Sequence, residues 1–306
     1  MHPQPVLATP SRRRFLVAGL ALPLPWLAGC ATPLPLAEPA PPTTGSDGAE
    51  LLRMSAEAHG LSAYRQLRDI NVRYEGQWRP LIDRIQPVVV DKAYRGGSEE
   101  RVLPAAGIVA QSYLGTAGQK QVAWRRGGAS PGSAGDIAVW FNGRPSFDEP
   151  VLDAAALVAE CYGLFLLGPL WLAGRDAPSR RAGRERVDGR DCELVDVWLR
   201  PGLGRSPLDR ATLFIDPASG LMRRVRFTLE GSGGTRGAVA EVSTFEHERR
   251  FGVMWPMRSY EAVVHPLRLP AHDWRIAGLD VDRGYDAAAV TGPAFTGAAA
   301  RPAAAL

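Results

Sequence analysis

The spacing of apolar and polar positions marks one long apolar segment that lies between two regions of strand-like alternation. Residues 151–171, VLDAAALVAECYGLFLLGPLW, form the longest apolar run after the first thirty residues, and only Asp153 and Glu160 in it are charged. A helix that is apolar on every side has to bury most of its surface. The segment is therefore predicted to be a core helix, broken near Gly168-Pro169, because glycine and proline end helices.

A membrane span is the alternative interpretation of this segment, since a span needs about 20 apolar residues. Gly163, Gly168 and Pro169 interrupt the run, however, and its two acidic side chains would lie in hydrocarbon at a cost of several kcal/mol. No aromatic belt with basic flanks borders both ends. These features favour the buried core helix.

Alternation with a period of two predicts strands on both sides of the apolar segment. The clearest strand is Ile70–Trp78, in which Ile70, Val72, Tyr74 and Trp78 share one face. A helix over residues 50–59 precedes it. Short glycine-rich and Asp-Gly connections make successive strands antiparallel neighbours. Further strands are predicted at 87–95, 108–114, 119–126, 136–141, 184–187, 191–199, 210–215, 221–230, 238–249, 253–264 and 272–280.

Some of these strands carry apolar residues on both faces, as in 191–199 and 210–215. Such strands need cover on both sides, and the 151–171 helix can supply one layer. The predicted fold class is therefore mainly β with helices (α+β), an antiparallel sheet curled around one apolar helix.

The first 29 residues are typical of an export signal. Three arginines, Arg12–Arg14, precede the apolar run Phe15–Leu27, which is too short and wrongly flanked for a stable span. The order Ser11-Arg12-Arg13-Arg14-Phe15-Leu16 resembles the twin-arginine (Tat) export signal. An ordinary secretory signal with a basic start is the alternative.

The sequence Leu27-Ala28-Gly29-Cys30 resembles a bacterial lipobox. The resemblance implies cleavage before Cys30 and acylation of its thiol, with palmitate among the chains; a chance cysteine is the alternative. Several chains are needed, because one acyl chain binds a membrane only marginally. By the same resemblance, Ala31 in place of Asp favours the outer membrane.

Composition divides the remaining chain into a tether, a domain and a tail. Residues 30–48 are predicted to hold the lipidated cysteine and a Pro-rich extended tether. Residues 49–286 are predicted to form the folded domain, and 287–306, rich in Ala, Gly and Pro, a disordered tail.

The charge balance argues against a nucleic-acid binder. The chain has 36 Lys and Arg against 32 Asp and Glu, and loss of the three signal arginines leaves 36 − 3 = 33 against 32. The exported protein is close to neutral, whereas nucleic-acid binders carry a strong basic excess.

Motifs for catalysis are weak. Gly128-Ala129-Ser130-Pro131-Gly132 matches the G-x-S-x-G nucleophile elbow, but Pro131 and the Gly/Ser-rich surroundings do not suit the strand-turn-helix that an elbow requires. His247, His265 and His272 match no common zinc spacing, so separate surface histidines are expected. The sequence predicts no catalytic residue, no metal site and no cofactor.

Cys161 and Cys192 are the two remaining thiols. Export to an oxidising compartment allows a disulfide between them. Two separate buried thiols are the alternative, and only their distance decides between the two.

Three stretches resemble the LolA/LolB-like superfamily, whose members include lipoprotein-sorting proteins. They are Ala58–Leu67 with the strand ending at Glu75-Gly76, the hairpin Phe214–Arg224, and Glu246–Pro256. The resemblance covers roughly residues 50–285. It implies an unclosed β-barrel of about eleven strands, whose concave apolar face is plugged by helices and accommodates acyl chains.

These observations lead to the hypothesis of a lipid-anchored protein of the bacterial envelope, facing the periplasm at the outer membrane. It would bind a lipid or other hydrophobic ligand, take part in lipid or lipoprotein transport, and carry out no catalysis. The expected partners are the membrane through Cys30, an acyl chain or hydrophobic small molecule, and an envelope protein, but no nucleic acid.

The ligand is expected to lie between the sheet and the 151–171 helix, which would shift to admit it. Two alternatives remain: an interaction lipoprotein whose core is permanently filled, and a hydrolase that uses Ser130. Core packing is the alternative role for each large side chain. The side chains predicted to line the cavity are Trp140, Leu164, Phe165, Leu167, Trp171, Trp198 and Phe214.

Overall fold

The computed structural model describes Ala40 and residues 47–127, 135–175, 177–295 and 297–303. The predicted export signal, the lipobox with Cys30, most of the tether and Ser130 lie outside the described residues. Their predicted roles are therefore not tested by the structure.

One continuous antiparallel sheet contains the strands of the described residues. Its order is β6-β5-β4-β3-β2-β1-β13-β12-β11-β10-β9-β8-β7. Neighbours in the sheet are neighbours in sequence, except that the first strand pairs with the last. The strands are β1 Ile70–Trp78, β2 Gly97–Leu103, β3 Ile108–Gly115, β4 Gly118–Arg125, β5 Asp136–Phe141, β6 Arg144–Pro145, β7 Ser179–Val187, β8 Arg190–Leu199, β9 Asp209–Ile215, β10 Met222–Thr228, β11 Val239–Arg250, β12 Val253–His265 and β13 Leu269–Val281.

The two edge strands, β6 and β7, do not pair with each other, so the barrel is open. Bulges at Arg73/Tyr74, Met222/Arg224 and Glu261/Ala262 bend the strands, because a bulge adds a local kink and twist. The predicted fold class, an unclosed antiparallel half-barrel with helices, is confirmed.

The longest helix of the described residues fills this half-barrel. It is α5, Glu149–Leu167, and all of its residues from Ala154 to Leu167 are buried. It is long and apolar enough to cross a membrane, but 78% of its most apolar window lies inside the fold. It ends at Gly168, where φ is 53°, and α6 begins at Pro169. The predicted core helix and its break are confirmed.

The other helices of the described residues are shorter. They are α1 Asp47–Ala58, α2 Leu61–Tyr64, α3 Pro80–Ile85, α4 Pro87–Val90, α6 Pro169–Leu172 and α7 Ala287–Val290. Three of them, α1, α2 and α6, add residues to the main core.

The strand predicted at 87–95 is wrong. Pro87 starts α4, and a 3₁₀ turn follows at Lys92–Tyr94. The run Val88–Val90 has strand composition, but it belongs to the helix α4, and Val90 packs against Ile82 and Ala271. The sequence analysis also missed β2 and β6. Charged residues obscure the strand pattern of β2 in the sequence, although Glu100 and Arg101 in it are buried.

The prediction of a disordered tail is also wrong for the described residues 287–295 and 297–303. Val290 is fully buried against Leu103, Ile108 and Ala110 on the convex face of β2 and β3. Pro302 forms a β-bridge with Gly278. A few anchoring side chains hold a segment whose average composition is typical of disorder.

Candidate ligand-binding cavity

A short segment, the lid segment (residues 80–90, α3 and α4), lies across one mouth of the half-barrel. At its start, Arg79 N donates to Ala271 O over 2.9 Å. At its end, Lys120 Nζ lies 2.5 Å from Asp91 Oδ2. Between these points it is joined to other parts of the described fold by two hydrogen bonds, from Gln86 Nε2 to Gly234 O and from Arg95 to Val89 O, and by the ion pair of Asp83 with Lys92 at 3.1 Å. The lid segment is therefore held at both ends and only lightly in the middle.

An apolar cavity of about 60 Å³, the lid cavity, lies between the lid segment, α5 and the sheet. Its walls are almost entirely hydrocarbon, and it is partly open to solvent. Three polar side chains, Gln86, Thr235 and Glu261, lie among the lining residues. The apolar lining includes Ile82 and Val89 of the lid segment, Leu157, Cys161 and Phe165 of α5, and Val263 and Ala271 of the sheet.

Glu261 is the acidic residue of this lining, and its side chain makes no hydrogen bond within the described part of the chain. Burial raises the pKa of Glu261 to about 7, and the charge of Arg95 partly offsets this effect. This carboxyl is therefore protonated far more readily than an exposed glutamate, which makes the wall less polar than the sequence suggests.

A second cavity of about 40 Å³, the aromatic cavity, shares Trp78 and Tyr162 with the lid cavity. His272 stacks on Trp78, with ring centroids 4.3 Å apart, and on Trp274 at 4.7 Å. Burial lowers the pKa of His272 well below its ordinary value, and nearby Arg95 adds to the effect. His272 is thus a buried, neutral ring and not the surface histidine that the sequence predicts.

Arg95 contributes the guanidinium group of the aromatic cavity. Its Cζ lies 4.2 Å from the centroid of the Tyr113 ring and 5.8 Å from that of Trp78. Within the described chain it forms no ion pair with a carboxylate, and its Nε is buried without a hydrogen-bond partner. The cavity therefore holds a cation that faces aromatic rings instead of an acid.

Glu160 fixes α5 from inside the core. Its carboxylate accepts hydrogen bonds from Trp124 Nε1 at 2.7 Å and Trp171 Nε1 at 3.1 Å, and pairs with Arg126 and Arg175. Burial alone would raise the pKa of Glu160, but the two arginines and two indole groups lower it below its ordinary value. Because α5 is tied to the sheet in this way, the lid segment is the less constrained wall of the lid cavity.

The seven predicted lining residues separate into two groups. Phe165 lines the lid cavity, whereas Leu164, Leu167 and Trp171 are buried in the main core without lining it. The other three predicted lining residues, Trp140, Trp198 and Phe214, are absent from that core.

Strand alternation places those three side chains on the convex face. In β8 the side chains of Val195, Val197 and Leu199 lie in the concave core. Trp198 therefore lies on the convex face, near Arg210. In the same way Val139 of β5 faces the core and its neighbour Trp140 faces outward. The sequence analysis could not choose the inner face, because these strands are apolar on both.

Cys161 and Cys192 are both buried free thiols, so the possible disulfide is not formed and the alternative of two separate buried thiols holds. Cys161 lies on α5 in the main core. Cys192 lies in a separate cluster with Val187, Leu194 and Phe214 on the convex side of the sheet. The sheet therefore stands between the two sulfur atoms.

The sequence analysis gave no lining role to Arg95, Tyr162 or the lid residue Ile82. Tyr162 lies within the apolar helix, so its burial was predictable. The role of Arg95 was missed because the sequence analysis assigned it to the incorrect strand at 87–95. In the described residues, no group of three or more His, Cys, Asp or Glu side chains is placed to hold a metal ion.

Comparisons with known proteins were made for the sequence and for the structure. No family model and no curated protein sequence matches this chain. Solved structures do: the chain is similar to a DUF1329 family protein from Desulfovibrio piger, with 12% identity and a TM-score of 0.48 over 80% of this chain and 97% of that one.

Two further similar structures are described by their names as sorting or LolA proteins. A putative outer membrane lipoprotein-sorting protein domain from Vibrio parahaemolyticus has 9% identity and a TM-score of 0.44, covering 80% of this chain and 97% of that one. A LolA superfamily protein from Nitrosomonas europaea has 12% identity and a TM-score of 0.42, covering 81% and 98%. At these values the fold class rests on the strand order described above.

Proposed function

We propose that this protein binds the apolar chain of a lipid or similar amphiphile in the lid cavity, as an envelope protein anchored to the membrane through acylated Cys30. The observation that carries the proposal is the lid cavity itself. A cavity walled by hydrocarbon and partly open to solvent is an unfavourable surface for water, and apolar chains gain free energy by filling such a space.

The size of the cavity requires one wall to move when a chain binds. An apolar cavity of about 150 Å³ holds one benzene molecule, and the lid cavity measures about 60 Å³. It therefore admits only a short part of an acyl chain in the state described here. Outward movement of the lid segment would lengthen it.

The lid segment, and not α5, supplies this movement in the proposal. The Glu160 contacts hold α5 at its centre, and Arg205 pairs with Glu149 at 2.5 Å and Asp153 at 2.9 Å near its beginning. The sequence-based hypothesis assigned the movement to residues 151–171. The lid segment has ion pairs at Asp83 and at its end, through Asp91 and Lys120, but its middle has no contact comparable to the fully buried Glu160 in the described chain.

The cellular role follows from joining the cavity to the predicted anchor. A lipidated protein with a Pro-rich tether stays within reach of the membrane from which it draws or to which it delivers a chain. The proposed role is lipid or lipoprotein transport at the outer membrane, on its periplasmic side.

An interaction lipoprotein with a permanently filled core is a second candidate, and one observation favours it. The outer side of the lid segment exposes Leu81, Ile85 and Val88, each at least 41% accessible. Exposed apolar groups at this spacing can dock a partner protein. In this alternative the lid segment stays closed.

The test uses residues 31–306 as a soluble protein folded in the periplasm, analysed by native mass spectrometry and by organic extraction of what co-purifies. A stoichiometric lipid, or uptake of added tetradecanol, supports chain binding. Ala271→Phe, which fills the lid cavity, should abolish uptake, whereas Ala117→Phe on an exposed turn should not. A protein that takes up no chain under any of these conditions would contradict the proposal and favour the interaction lipoprotein.

A further inference from the structure

The aromatic cavity is lined by three residues that each hold a buried donor with no hydrogen bond of good geometry in the described residues, although the Gln111 amide lies near one of them, the Tyr113 hydroxyl. The donors are Arg95 Nε, Trp78 Nε1 and the Tyr113 hydroxyl, and all three residues line this one cavity of about 40 Å³. Buried polar groups are nearly always paired, and leaving one unpaired costs about 1–3 kcal/mol. Three such donors around one space indicate that an acceptor belongs there.

The charge of the cavity lining favours an anionic acceptor. Glu75 already pairs with Arg275 at 2.8 Å. Burial raises the pKa of Glu100, behind the cavity, to about 8, so this carboxyl is mostly neutral at pH 7. His272 is neutral as well. Arg95 therefore forms no direct ion pair in the described chain, although Asp91 and Glu261 lie near enough for their charges to interact with it. Hydrogen bonds to a charged group are stronger than neutral ones.

The size and charge of the site distinguish among anions. A carboxylate carries one charge and offers two oxygens with about four lone-pair sites, enough for three donors. A phosphate monoester brings about −1.5 to −2 charges, which exceeds the single positive charge of Arg95. A compact, singly charged head group fits the cavity better.

The position of the cavity connects this head group to the proposed chain site. Trp78 and Tyr162 line both cavities, so a head group at Arg95 and an apolar chain under the lid segment would belong to one molecule that passes these two rings. We propose that the aromatic cavity binds the carboxylate of a single-chain fatty-acid-type amphiphile, through Arg95, Tyr113 and Trp78. This inference rests on the proposed chain-binding function and names the ligand class.

The test compares three probes with the same chain: tetradecanoate, tetradecanol and monotetradecyl phosphate. Binding to the soluble protein is measured below the critical micelle concentration by the fluorescence of the tryptophans and by calorimetry. Tetradecanoate should bind at least tenfold more tightly than tetradecanol, and more tightly than the phosphate.

Two variants separate the head group from the chain. Arg95→Gln and Tyr113→Phe should each reduce the acid-to-alcohol preference at least several-fold, while the affinity for tetradecanol stays within twofold of the original. Tyr113→Phe removes only a hydroxyl, so it keeps the test valid if Arg95→Gln does not fold. Arg258→Gln, a half-exposed arginine outside the cavity lining, is the matched control and should leave the preference intact.

The outcomes distinguish this inference from the proposed function. If acid and alcohol bind equally, or if the preference survives both variants, the cavity holds only water and the inference is overturned while chain binding stands. Tighter binding of the phosphate would overturn the carboxylate assignment. Failure of every chain to bind would overturn the proposed function as well.

Discussion

Trp124 donates its indole N–H to Glu160 Oε2 over 2.7 Å, and this hydrogen bond joins the centre of the plugging helix α5 to strand β4. Glu160 is an unusual residue at the middle of an apolar helix, since it is fully buried. The surrounding indoles and arginines explain how a charge is tolerated there: each carboxylate oxygen is hydrogen-bonded, and two arginines pair with the one negative charge.

Replacing Glu160 should therefore strongly destabilise the fold. Glu160→Ala leaves Arg126 and Arg175 largely buried without their acid, and breaking a buried pair in this way costs about 3–5 kcal/mol. Urea denaturation followed by tryptophan fluorescence measures the loss. Asp153→Ala is the control on the same helix, because its partly exposed pair with Arg205 should contribute less than about 1 kcal/mol. Equal effects of the two variants would contradict the anchoring role.

Glu100 should make the stability of the fold depend on pH. Burial raises the pKa of Glu100 to about 8, from the ordinary value of 4.5. Between these values the unfolded chain releases a proton that the folded protein retains. Glu100 therefore destabilises the fold as pH rises through this range, by roughly 1.4 kcal/mol per pH unit.

Glu100→Gln should remove this dependence, because the amide is neutral at every pH and its oxygen still accepts the hydrogen bond from Gln111. The free energy of unfolding of the variant, relative to the original protein, should increase from pH 5 to pH 8. Glu57→Gln, on the exposed face of α1, should show a constant difference. A constant difference for Glu100→Gln would rule out a buried, protonated carboxyl.

Gly163 should tolerate no larger residue, because Trp171 folds back onto it. A Cβ at this position would lie 2.7 Å from Cε2 of the Trp171 indole. Gly163→Ala should therefore displace the ring and destabilise the protein by about 1–3 kcal/mol, as is usual for overpacking. Thermal unfolding measures this, and Gly233→Ala, with nothing within 4 Å, is the control. An unchanged melting temperature and tryptophan emission for Gly163→Ala would contradict the packing.

The last described segment should contribute to stability although its composition is typical of disorder. Val290 is fully buried in a small cluster on the convex face of the sheet, so Val290→Ala should cost about 1–2 kcal/mol from lost burial. Hydrogen exchange should also accelerate in β2 and β3, which it covers. Leu267→Ala, at a position 67% exposed, should change neither quantity. If Val290→Ala also changes neither the stability nor the hydrogen exchange, the segment does not pack on the sheet in solution.

The architecture was predictable from the sequence because it depends on average properties. The apolar run with Gly168-Pro169 at its end determined α5, and alternation with short turns determined most strands. The cavity was less predictable, because it depends on which face of a strand points inward. Trp198 and Val197 are adjacent and both apolar, and only the register with neighbouring strands assigns Val197 to the core and Trp198 to the outside.

The candidate site also depends on residues whose role is set by tertiary contacts. Arg95 has no recognisable motif, and its position beside Tyr113 follows from the turn after the lid segment. Glu100 and Glu160 look like surface or misplaced charges in the sequence, yet both are buried. Single-sequence patterns carry no signal for a charge that a distant partner compensates.

Cys161 should report on occupancy of the lid cavity, because it lines the cavity, whereas Cys192 lies on the other side of the sheet. Burial raises the pKa of both thiols, so iodoacetamide at pH 8.5 should label them slowly. Labelling of Cys161 should require opening of the lid segment. Saturating tetradecanol should slow labelling of Cys161 several-fold and leave Cys192 unchanged, as measured by peptide mass spectrometry. Equal slowing at both cysteines would indicate general stabilisation, and no slowing at Cys161 would place the bound chain outside the lid cavity.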